Sequence, residues 1–133
     1  MIRVATKDDH EVLKKMLNDL REWSIYSFLF SDAEPTDMDL ERYTNPKNFN
    51  ERICLISINN DGDPIGFVTL DALPMFNCGV DTKMARMTFT YIIPVFRGKG
   101  YMEELTSGFE YWAKKIGAKV CCIGLVKGKK KGY

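Results

Sequence analysis

Apolar and polar positions change period several times along the chain, and each change marks an element. Ile2 and Val4 alternate with polar neighbours as a short strand does. Asp8 with Glu11 three residues later has the form of a capping box and predicts a helix start. Val12, Leu13, Met16, Leu17 and Leu20 then recur at the three-and-four spacing of one helical face. That spacing predicts an amphipathic helix from Asp9 to Arg21 with a charged outer face. The aromatic-rich stretch from Trp23 to Phe30 is read as a second helix, which SDAEPTD ends while offering Thr36 or Asp37 as a fresh cap.

Beyond Ile53 the period shortens. ICLISI and IGFVTLDAL are two strand-like runs joined by NNDGDP, whose Asn, Asp, Gly and Pro predict a hairpin. A looser connection, PMFNCGVDTK, leads into ARMTFTYIIP, where Met87, Phe89, Tyr91 and Ile93 alternate as a third long strand that stops at Pro94. From Gly100 to Ile116 the pattern is helical again, with Met102, Leu105, Phe109, Trp112, Ala113 and Ile116 on one face and Gly117 just past the end. KVCCIGLV is a final strand. No internal repeat interrupts this order, and the one low-complexity segment is KGKKKG.

Composition narrows the function classes. The 133 residues are 45% hydrophobic, the size and apolar content of one domain with one core. Lys and Arg number 19 against 18 Asp and Glu, so no overall field collects nucleic acid or an acidic surface. No apolar run approaches the roughly 20 residues of a membrane span, and MIRVATKDDHE lacks the apolar centre of a signal peptide. A soluble, cytoplasmic protein without membrane partners is expected. Cys54, Cys78, Cys121 and Cys122 form no C-x-x-C pair and stand beside no histidine at metal-ligand spacing, so no metal is expected and the thiols read as reduced. Cys54, Cys121 and Cys122 fall in apolar runs, where cysteine acts as a small hydrophobe.

The chemistry lies in TYIIPVFRGKGYM, Thr90 to Met102, between the long strand and the amphipathic helix. Gly98 and Gly100 supply the conformations a sharp strand-to-helix turn needs and leave amides uncovered. Unpaired N–H groups and the positive end of the helix favour a phosphate there, and Arg97 and Lys99 add charge. The plainer alternative is a tight loop with two solvated cations. Neither the Rossmann G-x-G-x-x-G nor the P-loop G-x-x-x-x-G-K-[ST] is present.

This segment resembles the acetyl-CoA signature of the GCN5-related N-acetyltransferases, the GNAT family: Arg or Gln, two residues, Gly, one residue, then Gly or Ala. Tyr91, Ile92, Pro94, Phe96 and Arg97 match the positions leading into it, whereas Met102 stands where the family has Gly or Ala. IRVATKDDHEVLKKML is similar to the family's first strand and helix, and PIGFVTL to its third strand. The resemblance implies an α/β (α+β) acyl-CoA N-acyltransferase fold over residues 1–133 as a single domain: a mixed, mostly antiparallel sheet flanked by helices. It also implies a fold shortened at the carboxyl end, where the family continues into a helix and two more strands. Acetyl-CoA is the implied co-substrate. The backbones of Thr90, Tyr91 and Ile92 would pair with its pantetheine arm, and the amides of Arg97, Gly98, Lys99, Gly100, Tyr101 and Met102 would hold its pyrophosphate.

Acetyl transfer to an amine requires a neutral amine, hence a base. Between Lys83 and Pro94 there is no Asp or Glu; Arg86, Thr88 and Thr90 are the polar residues there. Asp71 and Glu34 are candidate bases and Tyr133 the one candidate acid near the end, each weighed against an ordinary surface role. His10 reads as a solvated helix residue, and Trp23, Tyr26, Phe28 and Phe30 as acceptor-side wall or core. Glu103 and Glu104 suit the positive end of their helix. Lys127, Lys129, Lys130 and Lys131 read as a solvated tail, so nucleic acid is not an expected partner. The expected activity is acetyl-CoA-dependent N-acetyl transfer by direct attack of an amine on the thioester, with a small-molecule or protein acceptor. The resemblance allows a homodimer without requiring one. The rival is a non-catalytic module of the same fold that binds a partner or CoA.

Overall fold

The computed structural model describes residues 1–23, 37–74 and 82–123. Its centre is one five-stranded sheet in the order β1 (Ile2–Val4), β2 (Arg52–Ile58), β3 (Pro64–Pro74), β4 (Lys83–Ile92) and β5 (Val120–Ile123). The first four strands run antiparallel to their neighbours, and β5 lies parallel to β4. That parallel step requires a crossover, which α3 (Tyr101–Lys115) supplies. The NNDGDP hairpin forms as the sequence predicts. Asn59 Oδ1 accepts from the amides of Asp61 and Asp63, both at 2.9 Å, and so turns the chain from β2 into β3.

Helices cover both faces, which explains why β2 and β3 read as nearly continuous apolar runs rather than clean alternations. On one face Leu105, Phe109 and Trp112 of α3 pack on Ile53, Leu55, Val68, Leu70, Ala85 and Met87. On the other, Leu13, Met16 and Leu20 of α1 (His10–Trp23) and Leu40 of α2 (Asp37–Thr44) pack on Cys54, Ile56, Phe67 and Tyr91. Trp112 Nε1 donates to the Phe49 carbonyl at 2.7 Å and ties α3 to the approach to β2.

Three local expectations are corrected. The capping box is formed by Thr6 and Asp9 around a short 3-10 turn, not by Asp8 and Glu11, and α1 begins at His10. Asp9 is recruited because Arg3 of β1 grips its carboxylate with two 2.8 Å bonds. His10 is buried rather than solvated, with Nε2 2.8 Å from Thr44 Oγ1. Thr44 Oγ1 in turn donates to the Leu40 carbonyl, so it accepts from His10. Cys121 and Cys122 are exposed, whereas Cys54 is buried as expected. Among the described residues no helix is long and apolar enough to cross a membrane.

Candidate active site

Strand β4 is irregular where the chemistry is expected. Its pairing with β3 passes from Thr69↔Phe89 to Leu70↔Met87, so Thr88 is an extra residue, a β-bulge. The bulge turns Thr88 and Phe89 toward the same face: Thr88 bonds Asp71, and Phe89 packs in the cluster under α1 and α2. Pairing with β5 covers Met84 to Met87. From Thr88 to Ile92 the other edge of β4 has no strand beside it among the described residues.

At the carboxyl end of β4 the chain enters a 3-10 turn at Pro94–Phe96 and reaches α3 through Arg97, Gly98, Lys99 and Gly100. Gly98 has φ +76° and Gly100 φ +91°, conformations that resist a side chain although no atom lies within 4 Å of a Cβ at either. Gly100 is the helix N-cap, and no side chain caps the first turn. The opening amides of α3 therefore face the cleft without intrahelical acceptors. This cleft, of about 310 Å³, is lined by Thr90, Tyr91, Ile92 and Phe96 from the strand side and by Arg97, Gly98, Gly100, Tyr101, Met102 and Glu103 from the turn. All the residues singled out from the sequence for the acyl carrier line it except Lys99, which is exposed on the turn.

Arg97 and Met102 have roles that the sequence pattern did not reveal. Arg97 folds back, with Nε donating to the Ile92 carbonyl at 2.7 Å and the guanidinium 5.3 Å from the centre of the Tyr91 ring. It thus pins the turn to the strand. Met102 packs against the α3-side core, and its sulfur accepts from Thr90 Oγ1 at 3.5 Å, which orients that threonine. Phe96 and Tyr101 meet edge to face at 6.2 Å and close the floor of the turn. Of the two acids in the first turn of α3, Glu104 pairs with the Met1 ammonium at 2.9 Å, and Glu103 lines the cleft.

Asp71 is not a surface acid. It is buried on β3 directly across from Arg52 of β2 and Arg86 of β4. Its carboxylate accepts from the Tyr43 hydroxyl at 3.0 and 3.2 Å, from Arg52 Nε at 3.4 Å, and from the Thr88 hydroxyl in the bulge. Burial, and then the charge of Asp71, push the Tyr43 phenol up to about 12, so Tyr43 stays a proton donor to this carboxylate. Thr88 is one of the polar residues the sequence offers on the long strand, whereas nothing local in the sequence marks Tyr43. Glu34, Tyr133, Tyr26, Phe28, Phe30, Cys78 and the lysine tail lie outside the described residues, as does the second helix expected before Phe30.

A mixed sheet between helices, with a glycine turn and an uncapped helix end at the carboxyl end of β4, is the architecture of the acyl-CoA N-acyltransferases. A tetramutant protein from Bacillus halodurans superposes with TM-score 0.78 at 12% identity, covering 96% of this chain and 83% of that one. A ribosomal-protein-alanine N-acetyltransferase from Brucella melitensis gives 0.69 at 17%, covering 96% and 80%. An aminoglycoside N-acetyltransferase in complex with CoA gives 0.66 at 14%, covering 99% and 81%. At these identities the likeness is one of fold. Among curated proteins no sequence matches. The model of the Acetyltransferase (GNAT) family matches residues 14–125, and the chain belongs to that family. Its activity class is accordingly acetyl transfer.

Proposed function

We propose that the protein is an acetyl-CoA-dependent N-acetyltransferase whose acceptor is a primary amine on a small molecule or a protein. The observation that carries this reading is the cleft at the turn, where uncapped helix amides, two left-handed glycines and the end of β4, unpaired on that edge among the described residues, converge. The amides from Arg97 to Met102 fit a pyrophosphate, with Lys99 adding charge, and the backbone of Thr90, Tyr91 and Ile92 fits the pantetheine arm. The relatives of this fold include enzymes for a protein alanine and for an aminoglycoside, both amine acceptors.

Acetyl-CoA supplies the activated acyl group; the chain supplies position and a route for one proton. Asp71 is the carboxylate nearest the bulge, reached through the Thr88 hydroxyl. Thr88 accepts a proton from the ammonium of the acceptor as it passes its own to Asp71, and the neutral amine attacks the thioester carbonyl. The C–N bond forms, the C–S bond breaks, and the proton then shed by nitrogen goes to the departing thiolate. Holding the reactants together contributes most of the acceleration, and a single backbone donor to the developing oxyanion contributes about 10²–10³ in rate.

The test is isothermal calorimetry of acetyl-CoA against the wild type, Gly100→Ala and Gly100→Glu. Both variants strain the left-handed turn equally, but only the second adds a carboxylate against the pyrophosphate. Saturable binding that weakens in Gly100→Ala and vanishes in Gly100→Glu supports the reading. No binding by folded wild type overturns it and leaves the non-catalytic interaction module.

A further inference from the structure

Three charged side chains stand in one cross-strand row beside the bulge: Arg52 on β2, Asp71 on β3 and Arg86 on β4. The row carries two cations and one anion. Asp71 is engaged by Tyr43, Arg52 and Thr88, and it makes no ion pair with Arg86 although the two residues are register partners. Arg86 is half-buried. Its Nε is fully buried and has no hydrogen-bond partner, and Arg86 enters no ion pair among the described residues. Its charge is nevertheless felt locally, because it and Arg52 both oppose the rise of the Tyr43 phenol. Buried guanidinium N–H groups are normally satisfied, so this one marks a half-buried cation that has neither an acceptor nor a counter-ion among the described residues.

Arg86 lies two residues before Thr88 on β4, and both face the α1 and α2 side of the sheet. Two residues of strand rise by roughly 7 Å. An amine delivered to the Thr88 hydroxyl thus has Arg86 within the length of a short aliphatic chain. Excess positive charge at that distance repels polyamines and lysine-rich segments and attracts an acid. A carboxylate that meets the η nitrogens balances the delocalised charge of the guanidinium, although the buried Nε–H itself gains no acceptor from it.

We infer that Arg86 is a specificity-determining residue that binds the carboxylate of the acceptor, so that the preferred acceptors are amines bearing an acid group a short chain away. This inference rests on the acetyl-transfer reading above. Of the two arginines Arg86 is the one free for this task, because Arg52 is committed to Asp71.

The probes are ω-amino carboxylates of three to six carbons and the alkylamines of matching length, titrated by calorimetry into CoA-loaded protein. Wild type is expected to bind at least one amino carboxylate about tenfold more tightly than its alkylamine. Arg86→Met should remove that preference by weakening the amino carboxylate, while the alkylamine binds no less tightly and CoA affinity is unchanged, and Arg86→Lys should restore part of it. Melting temperature and circular dichroism establish that each variant is folded. Equal affinity of wild type for the amino carboxylates and the alkylamines, binding of neither, or an indifferent folded Arg86→Met overturns the inference. Thiol release from acetyl-CoA with the same probes tests the activity separately: turnover without discrimination between them sinks the Arg86 assignment alone, whereas acid-selective binding without turnover sinks the acetyl-transfer reading.

Discussion

Gly66 offers the most direct test of how packing in the sheet reaches the turn. It sits on β3 opposite Ile92, and a Cβ placed there falls 2.4 Å from Ile92 Cδ1 and 2.7 Å from the Tyr91 carbonyl oxygen. The isoleucine methyl can rotate away. The carbonyl belongs to the backbone of β4 and cannot yield unless the strand moves. Overpacking of this kind costs about 1–3 kcal/mol. At this chain length each kcal/mol lowers the melting temperature by roughly 3–6 °C, so Gly66→Ala should melt about 3–18 °C below wild type. The displaced segment also carries the Ile92 carbonyl that holds Arg97, and with it the entry to α3. Acetyl-CoA affinity should therefore fall by about tenfold as the amides lose their alignment. Thermal denaturation followed by circular dichroism gives the first quantity and titration calorimetry the second. A midpoint matching wild type would refute the clash. Lost stability with undiminished affinity would refute the mechanical link from β4 to the turn.

Other expectations follow from single contacts. Glu103→Gln removes the one carboxylate that lines the cleft among the described residues, and acetyl-CoA should bind about two- to fivefold more tightly at low salt, whereas Lys99→Ala should weaken binding by a similar factor that disappears as salt is raised. Asp9→Ala loses the two Arg3 bonds and the 2.8 Å bond from the Thr6 amide, and should lower unfolding free energy by about 1–2 kcal/mol. The hydrogen bond from Arg3 holds the Asp9 carboxyl below its ordinary 3.8, so this contribution is present above that pH and disappears as pH falls further. An acid titration of stability should show a steeper loss in wild type than in Asp9→Ala. Tyr43 behaves oppositely, since its phenol is raised: its contribution is complete below pH 10, the unfolded value, and fades as pH climbs toward 12, where the unfolded chain has already released the proton. Tyr43→Phe should flatten that alkaline decline, as followed by denaturant midpoints across this window.

The sequence by itself determined the features that depend on near neighbours. Short apolar runs between turn residues gave β2 and β3, period-two alternation gave β4, three-and-four spacing gave α1 and α3, and NNDGDP gave the hairpin, because each rests on side-chain periodicity or turn chemistry within a few residues. The RGKG turn was legible for the same reason: a strand end, two glycines and an amphipathic helix follow one another directly. What the tertiary structure alone decided depends on which strands become neighbours and in what register. Asp71 is a buried hub because β2 and β4 bring Arg52, Arg86 and Thr88 to it from 19, 15 and 17 residues away, a placement no local pattern encodes. The bulge that turns Thr88 toward it is a mismatch between two strands and has no existence in either alone. His10 is likewise buried by Thr44, 34 residues distant. Arg97 has the composition of a phosphate ligand, yet the Ile92 carbonyl and the Tyr91 ring lie closer to hand and hold it, so the strand's own geometry sets its role.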